Sequence, residues 1–357
     1  MKTGISLDQL AAEIMRQKEN KEDYIVSTPN LHMENYGGDV FLHVLDSGGN
    51  DRIEPLDIGV NAHRQIGTHL SIPVKYYQKM QEENPELLVT NVNSWFERSN
   101  TQRMLRVLDG RARAFLSNRY KRLDHYQIAE AVLPEIAKMP DIRFESCQIT
   151  EDRMYIKAVN PRLQAEVAPG DIVQAGIIIS NSEVGLGSVS IQPLIYRLVC
   201  SNGMVVNDAA TKRNHIGRTN SADENFQLYS AETLEADDKA FLLKIRDTVQ
   251  AAVTEAKFSQ VVDLMREASQ APMNTTNVPE LVKLASKDFG ITEGEQTGVL
   301  QHLIEGKDLT LYGFSNAVTR FSQDVDSYDR ATALEGIGYN ILSMPTRQWN
   351  RINQMAA

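Results

Sequence analysis

The chain has 357 residues, 42% of them hydrophobic and 24% charged, and its formal net charge is -10. This composition is typical of a globular protein, and the length suits one large domain or two ordinary ones. The acidity argues against adhesion of the whole surface to nucleic acid, and no apolar run approaches the ~20 residues that a membrane span needs.

The first hundred residues combine helical and extended patterns. An amphipathic helix is predicted within residues 1–24, where charges interrupt any signal-peptide core. The alternation of residues 40–45 indicates a strand. Residues 61–98 are predicted to be helical, with breaks at Pro73 and Pro85, because proline cannot continue a helix that precedes it.

The middle of the chain is rich in strand patterns around one helix. That helix is predicted over residues 124–139, with Asp124 as its N-cap. Strands are predicted at 143–150, 153–160, 171–182 and 188–200, in two antiparallel pairs. Cys147 and Cys200 fall in these apolar strands, so we expect free thiols in a reducing cytosol rather than a disulfide.

From about Asp223 the pattern turns helical and stays so. One long amphipathic helix is predicted over 232–269, and its apolar stripe comprises Leu234, Phe241, Ile245, Val249 and Val253. The order of elements predicts an α+β fold, an antiparallel β-sheet with hairpins and a central helix, backed by helices. We expect an α+β nucleic-acid-binding core over 1–222 and a helical C-terminal portion over 223–357, packed on the core or on a neighbouring subunit.

Local signatures of enzymes do not emerge. The glycines of "GLG" at 185–187 lack the third glycine and the helix of a dinucleotide fingerprint, and Gly306 with Lys307 does not complete a P-loop. His63 and His69 are six residues apart and would not share a helix face. We therefore predict no catalytic residues, no cofactor and no metal, while a site assembled from distant residues stays open.

The stretch "RMLRVLDGRARAFLSNRY" predicts a basic β-hairpin, because Asp109–Gly110 suits a two-residue type I′ turn. Between residues 98 and 122 there are eight basic side chains and one acidic one. The register that this turn predicts pairs Leu108 with Arg111, Arg106 with Arg113 and Met104 with Phe115 on one side. Val107 with Ala112 and Leu105 with Ala114 form the other, apolar side.

Such a concentration of arginine on an acidic chain favours a local groove for a polyanion, since the guanidinium fork suits phosphate and aromatic rings can stack on bases. A second basic loop over 207–218 could close the groove. The candidate nucleic-acid-binding residues are Arg103, Arg106, Arg111, Arg113, Phe115, Arg119, Tyr120, Lys121, Arg122, Arg197, Lys212, Arg213 and Arg218. The alternative is a hairpin whose arginines pair with carboxylates elsewhere in the chain or across a subunit boundary.

Several separated motifs resemble a known family. They are "SIPVKYYQKM", "NVNSWF", "RMLRVLDGRARAFLSNRYKRLDH", "SVSIQPLIYRLVCSNGMVV" and "LYGFSNAVTRFSQ". In this order they resemble the phage- and plasmid-encoded family called domain of unknown function 932, over roughly 30–345. The resemblance implies a cytoplasmic protein of a bacterial host that acts near replication, recombination or host defence.

The order of elements is also similar to the core of single-strand annealing recombinases, which form rings or filaments and hold single-stranded DNA in a basic groove. This likeness implies binding of single-stranded DNA by a homo-oligomer, with strand annealing and recombination as its extension and without nucleotide hydrolysis. Two alternatives stay open. One is a phage-encoded interaction protein that acts on a host defence or replication factor, and the other is a metal-dependent nuclease.

Overall fold

The computed structural model describes residues 1–120, 122–187, 189–207, 231–252 and 254–357. These ranges contain twelve α-helices and eleven strands, and the predicted α+β class is confirmed. The strands form two separate sheets of six and five strands rather than one.

The first sheet contains the basic hairpin. Its strands are β1 (Lys21–Ser27), β2 (Leu31–Tyr36), β3 (Asp39–Val44), β4 (Leu56–Ile58), β5 (Gln102–Leu108) and β6 (Arg111–Ser117). They lie in the order β1-β5-β6-β4-β3-β2, and every neighbouring pair is antiparallel except β4 and β6. The strand predicted at 40–45 corresponds to β3.

Three helices cover one face of this sheet. They are α2 (Val60–His69), α3 (Val74–Glu83) and α4 (Pro85–Arg98), so the predicted breaks at Pro73 and Pro85 are confirmed. Phe96, Leu105 and Phe115 are fully buried between helices and sheet. Burial of a side chain of this size contributes about 1.5–3 kcal/mol, so the hairpin is anchored by its apolar face.

The second sheet is antiparallel throughout. Its strands are β7 (Arg143–Ile149), β8 (Met154–Ala168), β9 (Asp171–Asn181), β10 (Ser190–Arg197) and β11 (Asn202–Val205), in the order β11-β10-β9-β8-β7. Both predicted strand pairs are confirmed, and β8 runs further than 153–160. Helices α1 (Leu7–Asn20) and α5 (His125–Ala137) pack against this sheet.

The helical C-terminal portion packs on the second sheet. Its helices are α6 (Ala231–Ala252), α7 (Glu255–Ser269), α8 (Val278–Phe289), α9 (Glu293–Gly306), α10 (Leu311–Phe321), α11 (Tyr328–Leu342) and α12 (Thr346–Ala356). The single helix predicted over 232–269 is wrong, because Thr254 ends the run and caps α7 by accepting a hydrogen bond from the Lys257 amide. A threonine hydroxyl competes with helix continuation and favours this position.

Part of the predicted apolar stripe is accounted for. Phe241, Ile245 and Val249 lie in the core beside α5 and the second sheet. The side chain of Leu234, all of Val253 and the predicted boundary between residues 222 and 223 lie outside the described residues. None of the helices in the described ranges combines the length and the hydropathy that a membrane crossing requires.

Candidate nucleic-acid interface

The hairpin turn forms as predicted, but the register beyond it differs. Asp109 and Gly110 both have positive φ, of 52° and 74°, as a type I′ turn requires. The pairs Leu108–Arg111 and Val107–Ala112 are confirmed. A β-bulge follows.

The bulge shifts the rest of β6 by one residue. Arg106 lies opposite Ala114, Leu105 opposite Phe115, and Met104 opposite Leu116. The predicted pairs Arg106–Arg113, Leu105–Ala114 and Met104–Phe115 are therefore wrong. The shift moves the Phe115 ring to the face covered by helices, where the Gln65 side chain accepts a hydrogen bond from the Phe115 amide at 2.7 Å.

Arg106 is an internal residue. It is only 3% exposed, and its guanidinium donates to Asp23 at 2.9 Å, to Asp124 at 2.6 Å and to the Glu183 carbonyl at 3.0 Å. Burial opposes its charge, but the carboxylates of Asp124, Asp23 and Glu183 raise the pKa above its ordinary value. All three nitrogens have protein acceptors and the side chain is buried, so Arg106 is not accessible to a phosphate group.

Arg106 belongs to a larger group, which we call the arginine–carboxylate cluster. Arg122 pairs with Asp23 at 3.3 Å, Arg113 pairs with Glu183 at 3.3 Å, and Lys21 pairs with Asp124. The members are Lys21, Arg106, Arg113 and Arg122 on the positive side and Asp23, Asp124 and Glu183 on the negative side. Three of the eight basic side chains counted between residues 98 and 122 are therefore paired with carboxylates inside this cluster.

Glu183 is the buried acidic end of the arginine–carboxylate cluster. Its Oε1 accepts a hydrogen bond of 2.6 Å from the His125 amide at the start of α5. Burial lowers the pKa of the His125 ring to about 4, so this ring is neutral at pH 7. Burial would raise the pKa of Glu183, but the surrounding charges and the amide hold it below its ordinary value. The arginines thus supply the compensating positive charge.

The loop between β9 and β10 reaches from the second sheet onto the first, where Arg106, Tyr120 and Gln65 hold it. Its carbonyl oxygens accept hydrogen bonds from side chains on or beside the first sheet. The acceptor and donor pairs are Ser182 with Tyr120, Glu183 with Arg106, and Val184 with Gln65. The structure thus places Arg106 and Tyr120 at the junction of the two sheets.

The other predicted residues lie in several places. The Arg103 guanidinium carbon lies 4.8 Å from the centre of the Phe115 ring, and burial lowers the pKa of Arg103. Phe115 is buried, Tyr120 is half-buried and Arg119 is exposed. Arg197 is held apart from the cluster, in β10, by two hydrogen bonds to Asp171 of 2.6 and 2.9 Å. Lys121, Lys212, Arg213 and Arg218 lie outside the described residues.

A cleft of about 370 Å³ lies beside the hairpin tip. Its walls come from the tip itself, the end of α1, the start of α2 and the turn between β7 and β8, and they include Arg111 and Arg113. Arg111 is 38% exposed on its side chain and pairs with Asp57 at 2.8 Å and with Glu151 at 2.6 Å. Two arginines line this cleft, and Arg111 is the more accessible of them, because only 14% of the Arg113 side chain is exposed.

The start of α2 forms another wall of the cleft. Gly59 is the N-cap and has no side chain to accept from the first amides, and its own amide donates to the Ala112 carbonyl at 2.9 Å. A Cβ on residue 59 would lie 3.0 Å from that carbonyl, so glycine allows α2 to approach β6 closely. Uncapped amides and the positive end of the helix dipole favour an anion.

Gln17 adds an acceptor to this cleft. Its Nε2 donates to Glu13 at 2.8 Å, which orients the amide, and its buried Oε1 has no hydrogen-bond partner. The arrangement can therefore hold an anionic group beside a hydrogen-bond donor, which is the chemistry of a nucleotide.

Comparison with known families supports the resemblance noted above from residue 114 onward. Residues 114–351, two thirds of the chain, match the model of the family described as domain of unknown function (DUF932). The chain belongs to this family. The match begins within β6 and covers the second sheet and most of the helical portion. Comparison with curated proteins gives no match, and neither does comparison with solved structures.

The likeness to annealing recombinases stays a prediction. In the part of the chain that the structure describes, histidine, cysteine and carboxylate side chains form no group of three or more that could hold a metal. The residues that sequence reasoning missed are the partners of the arginines, namely Asp23, Asp124 and Glu183. Alternation in "KEDYIVS" could have put Asp23 on the same side of a strand as Lys21, but nothing local indicates its partner.

Proposed function

We propose that the protein binds single-stranded nucleic acid at the cleft beside the hairpin tip, as a DNA-binding protein of phage or plasmid origin that does not hydrolyse nucleotides. One observation carries the proposal. The Arg111 and Arg113 side chains line this cleft together with the uncapped start of α2. Cationic forks and free amides around one cleft favour a phosphate group.

The proposal divides the basic hairpin into two roles. Arg106 stabilises the junction of the sheets, because breaking a buried ion pair costs about 3–5 kcal/mol. Arg111 contacts phosphate, because its partners Asp57 and Glu151 are 59% and 62% exposed and such pairs contribute only about 0–1 kcal/mol. Exchanging these carboxylates for a phosphate is therefore inexpensive.

Strand annealing is the extension of this proposal, and it requires more than one copy of the chain. A single cleft reaches few phosphates, and non-specific binding of that kind has a Kd of about 10⁻⁴–10⁻⁶ M at physiological salt. Two clefts on one strand raise the overall affinity through effective concentration. Light scattering that shows only a monomer of 40.0 kDa, with and without DNA, would contradict strand annealing.

The test is fluorescence anisotropy of a labelled single-stranded oligonucleotide over a salt series, with Arg111→Gln and the control Arg162→Gln. Arg162 is an exposed arginine paired with Asp141 on the second sheet. Arg111→Gln should weaken binding and flatten the log–log salt slope by about 0.7, the share of one phosphate contact to a single strand. The control should behave as the wild type. No binding by the wild type at low salt, or equal losses in both variants, would contradict the proposal.

A second candidate is an interaction protein that acts on a host factor, with the arginines in a structural role. The internal pairing of Arg106 with Asp23 and Asp124 favours this candidate, because Arg106 is then unavailable to a ligand. A wild type that ignores the oligonucleotide and forms a stable complex with one purified host protein would support this candidate.

A further inference from the structure

The two outer strands of the first sheet are protected to different degrees. At β2, the Met33 amide donates to the Asn93 side chain at 2.7 Å, and Asn93 donates back to the Met33 carbonyl at 2.9 Å. The Asn93 amide thus takes the place of a neighbouring strand. Because this residue projects from α4, β2 cannot accept another strand there without displacing the helix.

The opposite edge has no such protection. Among the described strands, β1 pairs with β5 alone, and of its own amides only that of Lys21 also donates to a carbonyl of α1, that of Gln17. Its second half, Tyr24 to Ser27, carries no charge, and Ile25 is 48% exposed. A strand edge with unpaired amides and apolar side chains is a template for pairing with another strand.

We propose that β1 pairs with β1 of a second copy of this chain, antiparallel about a two-fold axis at Ile25. Along a strand, amides point alternately toward and away from the neighbour. Two residues that face each other across an antiparallel ladder must have the same orientation, so a two-fold pairing has to be centred on one residue that faces its own copy.

The charges of β1 disfavour centres at Glu22 and Asp23, and the exposed apolar side chain of Ile25 favours a centre there. A centre at Glu22 or Asp23 would place two identical carboxylates face to face, which is unfavourable. A centre at Ile25 places Ile25 against itself, Tyr24 against Val26, and Asp23 against Ser27. Apolar side chains then meet on both faces, and the Asp23 carboxylate keeps its bonds to Arg106.

The pairing gives a closed dimer and not a filament. Head-to-tail growth would require β1 of one copy to reach β2 of the next, where Asn93 occupies the edge. An isologous pair uses the open edge of both copies and leaves none. The proposed contact spans only five residues of each strand, from Asp23 to Ser27, so we expect a weak dimer with a Kd on the order of micromolar.

The mass measurement uses the full chain over a concentration series in an analytical ultracentrifuge. The average mass should rise from 40.0 kDa toward twice that value. Ile25→Lys places two lysines on the axis and should raise the dimer Kd about tenfold or more. The control Val199→Lys changes another exposed aliphatic residue and should leave the Kd unchanged. A mass that stays at one chain, or equal effects of both variants, overturns the proposal.

Cross-linking tests the register. In a Cys200→Ser background, Ile25→Cys should form an intermolecular disulfide under mild oxidation, because each cysteine faces its own copy. Ser27→Cys faces Asp23 instead and should stay monomeric on a non-reducing gel. Cross-linking of the Ser27 variant without that of the Ile25 variant would overturn the register.

Salt separates this proposal from the proposed function, on which it does not depend. Two chains of charge -10 repel, so added salt should strengthen the dimer. Nucleic-acid binding should weaken in the same series. Absence of the dimer would therefore not contradict nucleic-acid binding, and absence of nucleic-acid binding would not contradict the dimer.

Discussion

Replacing Arg106 with methionine should destabilise the protein strongly. The change keeps much of the side-chain volume and removes the guanidinium that bonds Asp23, Asp124 and the Glu183 carbonyl. Removing one partner of a buried ion pair typically costs about 3–5 kcal/mol, because the other charge is left buried and uncompensated. Lys21 still neutralises Asp124, so we expect the lower end, about 3 kcal/mol.

The assay is urea unfolding followed by circular dichroism, with Arg111→Met as the matched variant. Arg111 belongs to the same hairpin, but its ion pairs are exposed, so its loss should cost about 0–1 kcal/mol. If Arg106→Met unfolds within about 1 kcal/mol of Arg111→Met, the arginine–carboxylate cluster is not what holds the sheets together.

The pH dependence of Arg106→Met adds a second readout. Burial would raise the pKa of Asp124, but Arg106 and Lys21 hold it below its ordinary value. A carboxylate with a lowered folded pKa contributes stability above its unfolded pKa, and this contribution is lost as pH falls through the folded pKa. Without Arg106 the folded pKa rises, so the variant should lose stability at a higher pH than the wild type does.

Three further predictions concern other parts of the molecule. Gly59→Ala should weaken oligonucleotide binding and cost about 1 kcal/mol, because its Cβ would press on the Ala112 carbonyl and alanine is a poor N-cap; unchanged binding in the anisotropy assay would contradict the role of α2. Glu295→Gln should flatten the acid side of the stability profile, since the hydrogen bonds from Arg330 lower the Glu295 pKa to about 2 and its contribution is lost as pH falls from about 4.5 toward that value; urea midpoints measured from pH 7 to 2 test this. Chelation of divalent metal should leave oligonucleotide binding unchanged, and strand cleavage that returns with magnesium would favour the nuclease alternative instead.

Sequence patterns predicted most elements because each leaves a local signal. The Asp109–Gly110 turn, the breaks at Pro73 and Pro85, and the strand pairs of the second sheet were all accessible in this way. The bulge in β6 was not. This part of β6 contains three consecutive apolar residues, Ala114, Phe115 and Leu116. Both of its faces are buried, one under helices and the other under the β9–β10 loop. With both faces buried, alternation no longer fixes the register.

The site was predicted only in part, because charge was counted along the chain. The positive hairpin looked unpaired within its own window, whereas two of its partners lie 83 residues before Arg106, at Asp23, and 70 residues after Arg113, at Glu183. Pairing over such separations depends on tertiary structure, which local composition does not report. The cleft likewise joins four elements from separate parts of the sequence.

The family match begins inside β6, so its N-terminal limit does not coincide with the limits of the sheet that β6 belongs to. The family match begins at residue 114, inside this strand, while β4 and β5 on either side of it come from the preceding residues. A fragment cut at residue 114 would retain half a strand without neighbours, and Glu183 would be buried without Arg106. Expression of the matched region alone should therefore give aggregated protein. Relatives that carry only this region would need a different N-terminal partner to complete the sheet.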